Sequence, residues 1–218
     1  MKLKWKAALD GLMILLLPVL MAYSLVGEQL HEWLGVLMLL LFVGHHALNW
    51  RWHCSLVRGR WSGLRVLQTV MDLALLVLMI CMMTGGVLLS SYVFDFLSIR
   101  RGKDLGRTLH MLGAYWGLCL MSMHAGMHWN RKAATRRGKI LLRAGAVLFG
   151  IYGIAAFVRR DVGTYMFLKS HFVFFNHEEP LALFLFDYLS IMALFAILGY
   201  SLKEVLKRLS SGRRSSQK

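Results

Sequence analysis

Proline is nearly absent from this chain, with two in 218 residues, and acidic side chains are scarce, eleven against twenty-six Lys and Arg. So little proline leaves long helices uninterrupted. No stretch alternates apolar and polar residues with a period of two, which argues against a membrane β-barrel. The three cysteines, Cys54, Cys81 and Cys119, form neither CxxC nor CxxCH, so there is no zinc-ribbon signal and no thioether attachment site for a haem. Cys81 and Cys119 lie inside apolar runs and read as small packing residues. There is no GxGxxG loop to cradle a dinucleotide or flavin. Nor does any nucleic-acid motif accompany the net charge of +15, the usual partner of so basic a composition.

What is abundant is apolar surface. Hydrophobic residues make up 57% of the chain and the mean hydropathy is +0.54, above the ~45–50% apolar content of ordinary soluble domains. Several runs approach the ~20 residues that cross a bilayer as a helix. The pattern predicts an all-α integral membrane protein with six spans, over 5–26, 30–52, 66–93, 108–129, 140–158 and 181–202. Residues 5–130 would form a four-helix bundle, 140–202 would add two helices, and 203–218 would be a basic tail ending in a disordered Ser/Arg-rich segment. Pro18 should kink the first helix. Lys2, Lys4 and Lys6 resemble the start of a signal peptide, but Asp10 interrupts the run and no A-x-A-like site follows, so the first helix is read as uncleaved.

Charge sets the expected orientation. With the N-terminus inside, the inner segments hold nineteen Lys and Arg and the outer segments seven. That asymmetry predicts both termini in the cytoplasm. Trp5, Trp50, Trp52, Trp61 and Trp129 fall at predicted inner ends, where interfacial aromatics gather.

Against this background, histidines stand out, because ionisable residues within spans are costly. His31 and His45 lie fourteen residues apart in the second span, and His110 and His124 fourteen apart in the fourth. Fourteen helical residues cover roughly 21 Å and return to within ~40° of the starting direction. The predicted topology makes the two spans parallel, so His31 and His110 share an outer level and His45 and His124 an inner one. Two matched imidazole pairs are a donor set for two b-type haems, each iron held from both sides. The competing readings are a proton relay, metal transport and simple packing. His46 is the alternate to His45: it falls at about +60° against about −40°, which a tilted helix would favour. His128 follows His124 by four and is a second alternate, a propionate or quinone contact, or an interfacial histidine. His53 is expected in solvent; His171 and His177 sit in an outer loop, open to a partner or a metal.

Other residue types fit the same scheme. Gly35, Gly113 and Gly117 fall on or near the histidine faces, with Gly44 and Gly126 flanking the deeper level. They would admit a flat macrocycle, or equally serve helix packing. Arg107 outside, and Arg51 and Arg131 inside, are candidate propionate partners, or snorkelling residues at the interfaces. The methionines, fourteen in all, read as core filling.

The segments His31-Glu32-Trp33-Leu34-Gly35, His45-His46-Ala47-Leu48-Asn49-Trp50, Leu109-His110-Met111-Leu112-Gly113 and His124-Ala125-Gly126-Met127-His128-Trp129 resemble the flavinylation-associated cytochromes. These are bacterial membrane proteins related in plan to di-haem b-type cytochromes. The resemblance covers about residues 5–130, and the Phe172-to-Pro180 stretch is similar to a later segment of some relatives, with Asn176-His177 departing from their pattern. It implies electron transfer across the cytoplasmic membrane: a quinol or other reductant feeds one haem, and an extracytoplasmic protein carrying covalent FMN takes the electron from the second. Any flavin would then sit on the partner, and the chain would act more as an electron-transfer subunit than as a stand-alone enzyme. The alternatives are a quinol oxidoreductase or ferric reductase with its own substrate pocket, and a haem-free histidine-based metal or proton transporter.

Overall fold

The computed structural model describes residues 2–59, 61–99, 101–129 and 136–215. Among these residues the regular structure is entirely helical: α1 (Lys2–Met21), α2 (Tyr23–Val26), α3 (Glu28–Leu48), α4 (Trp50–Ser55), α5 (Gly63–Leu89), α6 (Lys103–His128), α7 (Arg136–Arg159), α8 (Val162–Met166) and α9 (Leu181–Ser215), with a 3-10 turn at Asp95–Leu97. Three helices are long and apolar enough to cross a membrane by length and composition: α3, α5 and the 181–210 part of α9, with mean hydropathies of 1.3, 2.3 and 2.3. The other expected spans coincide with helices: the apolar part of α7 covers Ala144–Arg159, and α1 and α6 carry diluted apolar windows. Three lysines and Asp10 lie in α1, and Lys103, Asp104, Arg107 and three histidines lie in α6.

Local chemistry explains the element ends. Pro18 stays inside α1, and the helix breaks only at Ala22. Gly27 then reverses the chain in a single residue, with φ of 85° and ψ of 155°, a backbone region open essentially to glycine alone. This lays α3 antiparallel to α1. The Ser62 side chain accepts the Arg65 N–H and caps the start of α5. The expected long loop at 159–180 contains α8, which is pinned to α6 where Trp116 Nε1 donates to the Met166 carbonyl at 2.8 Å.

The tail differs from expectation. Instead of leaving the membrane as a disordered segment, α9 continues to Ser215. Glu204 and Lys207 pair along it at 3.4 Å, and the buried Lys203 donates from Nζ to the Trp129 carbonyl at 2.6 Å. That carbonyl lies just past the end of α6, where free acceptors favour a cation.

α6 is the centre of the packing, between antiparallel α5 on one side and α9 on the other, while α7 packs against α9 and α3 against α1. The α6–α9 approach is backbone to backbone: a Cβ on Gly126 would lie 1.9 Å from the Ala196 carbonyl oxygen. Outward faces remain apolar, including Leu15, Leu40, Val70, Leu148 and Ile151, as a lipid-facing surface requires. Trp5, Trp50, Trp61 and Trp129 are all exposed at the same end of the bundle.

Inside the second half lies an ion network. Asp187 of α9 is fully buried and accepts from Tyr152 Oη at 2.7 Å, from Arg160 Nε at 2.7 Å and from Arg159. Arg160 also pairs with Glu179. Two arginines that counted as outer-loop charges thus hold α7, the α8 turn and α9 together. Removing Arg160, the more buried cation of the set, would cost about 3–5 kcal/mol.

Because the α6–α9 contact has no room for a side chain, Gly126→Leu is expected to cost at least the ~1–3 kcal/mol of an overpacked core. It should lower the thermal unfolding midpoint of the detergent-solubilised protein, whereas Gly35→Ala, with open space around its Cβ position, should leave it close to the wild-type value.

Candidate functional site: two facing histidine pairs

α3 meets α6 through imidazole rings at two levels. The rings of His31 and His110 have centroids 5.9 Å apart, and those of His45 and His124 lie 6.4 Å apart; both pairs are inclined by 72°. Because both levels pair in chain order, α3 and α6 run in the same direction. Two imidazoles that bind one metal from opposite sides at about 2.0 Å have centroids about 6.3 Å apart. Both separations lie within half an ångström of that figure.

The other ring nitrogens are occupied. His110 Nδ1 lies 3.1 Å from the Met82 carbonyl of α5, and an N–H there donates to it. His124 Nδ1 lies 2.8 Å from Asp72 Oδ1, also of α5. His45 Nδ1 lies 2.8 Å from Asp10 Oδ1 of α1. An acceptor on Nδ1 fixes the tautomer with the proton there and leaves Nε2 with its lone pair free, the arrangement seen around metal-bound histidines. His31 is the exception: its Nδ1 is buried without a hydrogen bond of normal geometry, beside the Leu20 backbone. The rings are thus held from two different helices, α1 and α5, before any ligand is considered.

The outer level opens into a cavity of about 830 Å³, within the ~300–1,000 Å³ of small-molecule and cofactor sites. His31, His110, Gly35 and Gly86 line it, with Lys103 and Arg107 at one side and His171 and His177 from the loop before α9. Arg107 stacks over Phe172 with its guanidinium carbon 5.3 Å from the ring centroid. An apolar slot with two imidazoles inside and cations at its edge fits a flat, dianionic macrocycle. The outer residues therefore fit a b-type haem, with His31 and His110 to hold its iron and Lys103 and Arg107 available to its carboxylates; at the inner level His45 and His124 offer a similar ring spacing.

All but one of the remaining candidates have definite places. His46 has other partners: its Nδ1 lies 3.0 Å from His53 Nε2, and its ring packs edge-on against Phe42. His53 is therefore partnered rather than simply solvated. The His128 ring lies 4.6 Å from that of His124, and ligand atoms of Asp72, His124 and His128 lie within 4.8 Å of one another. Gly113 is not a cavity residue: a Cβ there would lie 2.5 Å from Met82 Cβ, so it serves the α5–α6 contact. Gly117 is buried, its Cβ position 3.2 Å from Met121 of its own helix. Gly44 faces Leu9 of α1. Arg51 is exposed on α4, and Arg131 lies outside the described residues.

Three polar residues of the site escape a reading based on histidines. Asp10 and Asp72 support the inner pair. Glu32 clamps the outer rim: its carboxylate accepts from Ser90 Oγ at 2.6 Å and from the backbone N–H groups of Ser91, Tyr92 and Val93 at 2.7, 3.1 and 2.8 Å. This ties α3, one residue from His31, to the end of α5. The available signal was a carboxylate inside an apolar run, which demands a partner.

No family model, no curated protein and no solved structure matches this chain.

The clamp makes a direct prediction. Glu32→Ala removes the acceptor of three backbone N–H groups, each charge-assisted bond contributing about 1.5–3 kcal/mol. Amide hydrogen exchange at Ser91, Tyr92 and Val93 is expected to speed up by at least tenfold, while amides in the middle of α9 keep their wild-type protection.

Proposed function

We propose that the protein is a six-span membrane cytochrome b that carries electrons across the bilayer through two haems, one bound by His31 and His110 and the other by His45 and His124. The observation that carries this reading is the doubled imidazole pair: two facing rings at an iron-bridging separation on each of two levels, with Nδ1 held by an oxygen acceptor in three of the four. Bound there, haem would supply one-electron chemistry, and iron with two histidines has no open position for oxygen or substrate. The chain's part is to hold and orient the rings, exclude water with α1, α5 and the 172–175 stretch, and offer Lys103 and Arg107 to negative groups at the outer edge. The positive-inside asymmetry supports both termini on the cytoplasmic side of an inner membrane.

The resemblance to flavinylation-associated cytochromes extends the proposal to partners: a quinol or cytoplasmic reductant as donor and an extracytoplasmic FMN-carrying protein as acceptor. A chain that itself turned over quinol or ferric substrates would need no such partner. One observation favours a different class. The Asp72, His124 and His128 cluster is a donor set for a divalent cation, as a metal transporter would carry at that level.

A reduced-minus-oxidised spectrum of protein expressed with haem supplied separates these readings. The expected result is a b-type spectrum with two haems per chain, half of it lost in His31→Ala and half in His124→Ala. A chain without haem that binds one Zn²⁺, with binding abolished by His128→Ala, overturns the cytochrome in favour of the transporter.

A further inference from the structure

The two levels are not built alike. At the inner level both rings donate to carboxylates, His45 to Asp10 and His124 to Asp72. At the outer level His110 meets a neutral carbonyl, that of Met82, and His31 Nδ1 lies beside the neutral Leu20 backbone without a hydrogen bond of normal geometry. Resting on the di-haem reading, we propose that Asp10 and Asp72 are positioning residues that set the reduction potential at the His45/His124 level below that at the His31/His110 level.

The physical argument concerns charge on the ligand. A carboxylate accepting the Nδ1 proton pushes electron density onto the imidazole and makes Nε2 more basic. A more basic ligand and a nearby negative charge both favour the more positive, oxidised iron. Asp72 is the stronger candidate, because its side chain is only 13% exposed, against 45% for Asp10, and burial strengthens the interaction. Among the described residues, the two lysines bonded near the inner level do not pair with these aspartates. Lys6, near the same level, donates to Asn49 Oδ1 rather than to either aspartate. Lys203 donates to the Trp129 carbonyl. At the outer level the Glu32 charge is taken up by its four donors, and Glu28 shares the cavity lining with two cations, Lys103 and Arg107. An electron held at the carboxylate-braced level is therefore higher in energy than one held at the other. The fold biases transfer from the end that carries α4 toward the end that carries the Glu32 clamp.

The test is a potentiometric titration of the full-length, haem-loaded protein in lipid nanodiscs, followed by absorbance and low-temperature EPR. The His31→Ala/His110→Ala variant assigns the surviving midpoint to the inner level, and that midpoint should be the lower of the wild-type pair. Asp72→Asn keeps an acceptor for Nδ1 but removes the charge. It should raise the lower midpoint by about tenfold in the one-electron equilibrium, about 59 mV, leave the upper one in place, and keep the bis-histidine EPR signals. Asp10→Asn should shift the same midpoint by less. If Asp72→Asn does not retain haem, Asp10→Asn decides in the same terms. An unmoved lower midpoint, equal movement of both midpoints, or an inner level that is the higher one in the wild type overturns the proposal while leaving the di-haem reading intact. A wild-type chain without haem overturns the di-haem reading itself.

Discussion

A hydrogen-bonding side chain inside an apolar helix must find a partner, because the surrounding lipid or core cannot replace water. That constraint organises this molecule. Four carboxylates within the long helices reach specific donors: Asp10 to His45, Asp72 to His124, Glu32 to the backbone after α5, and Asp187 to Tyr152 and two arginines. Each link joins two different helices. Apolar contacts alone would allow α3 to slide or turn on α1, since lipid tails compete for the same surface. The polar links fix register where the hydrophobic effect is indifferent.

The two halves of the chain use this principle for different ends. In the second half, the Asp187 network closes on itself and satisfies both arginines and acids around α7 and α9. In the first half, the network is left open by one atom per ring, since each supported imidazole still presents Nε2. α3 is also the least buried of the long helices, with Met38 its one fully buried residue. A loosely packed helix bearing well-oriented rings, opposite a tightly packed helix bearing the same, leaves a gap whose walls are set independently of what fills it.

Much of this was legible in the chain. Apolar runs located the helices, because length and composition act locally. The equal histidine spacing carries the two levels, because helical rotation converts sequence distance into direction. The roles of Asp10 and Asp72 were not legible, since their partners lie thirty-five and fifty-two residues away and nothing local marks which imidazole they meet. The choice between His45 and His46 depended on His53 beyond the next turn. Gly113 and Gly126 looked equivalent to Gly35 in composition, yet two face a neighbouring helix and one faces open space. The continued α9 needed knowledge of the Trp129 carbonyl that Lys203 reaches.

The one-residue reversal at Gly27 has a consequence for how such a chain can vary. With no slack between α2 and α3, inserting a single residue between His31 and His45 would turn one imidazole ~100° away from α6. It would also break the register of Asp10 with His45. Steps of about seven or eleven residues restore the direction, lengthening the interval by ~10.5 or ~16.5 Å. Length changes in α3 and α6 must therefore come together and in such whole-turn steps, with a matching change in α1 and α5. The thickness of the protein is quantised by its own helices, and point substitutions rather than insertions are its route for adapting to a different membrane.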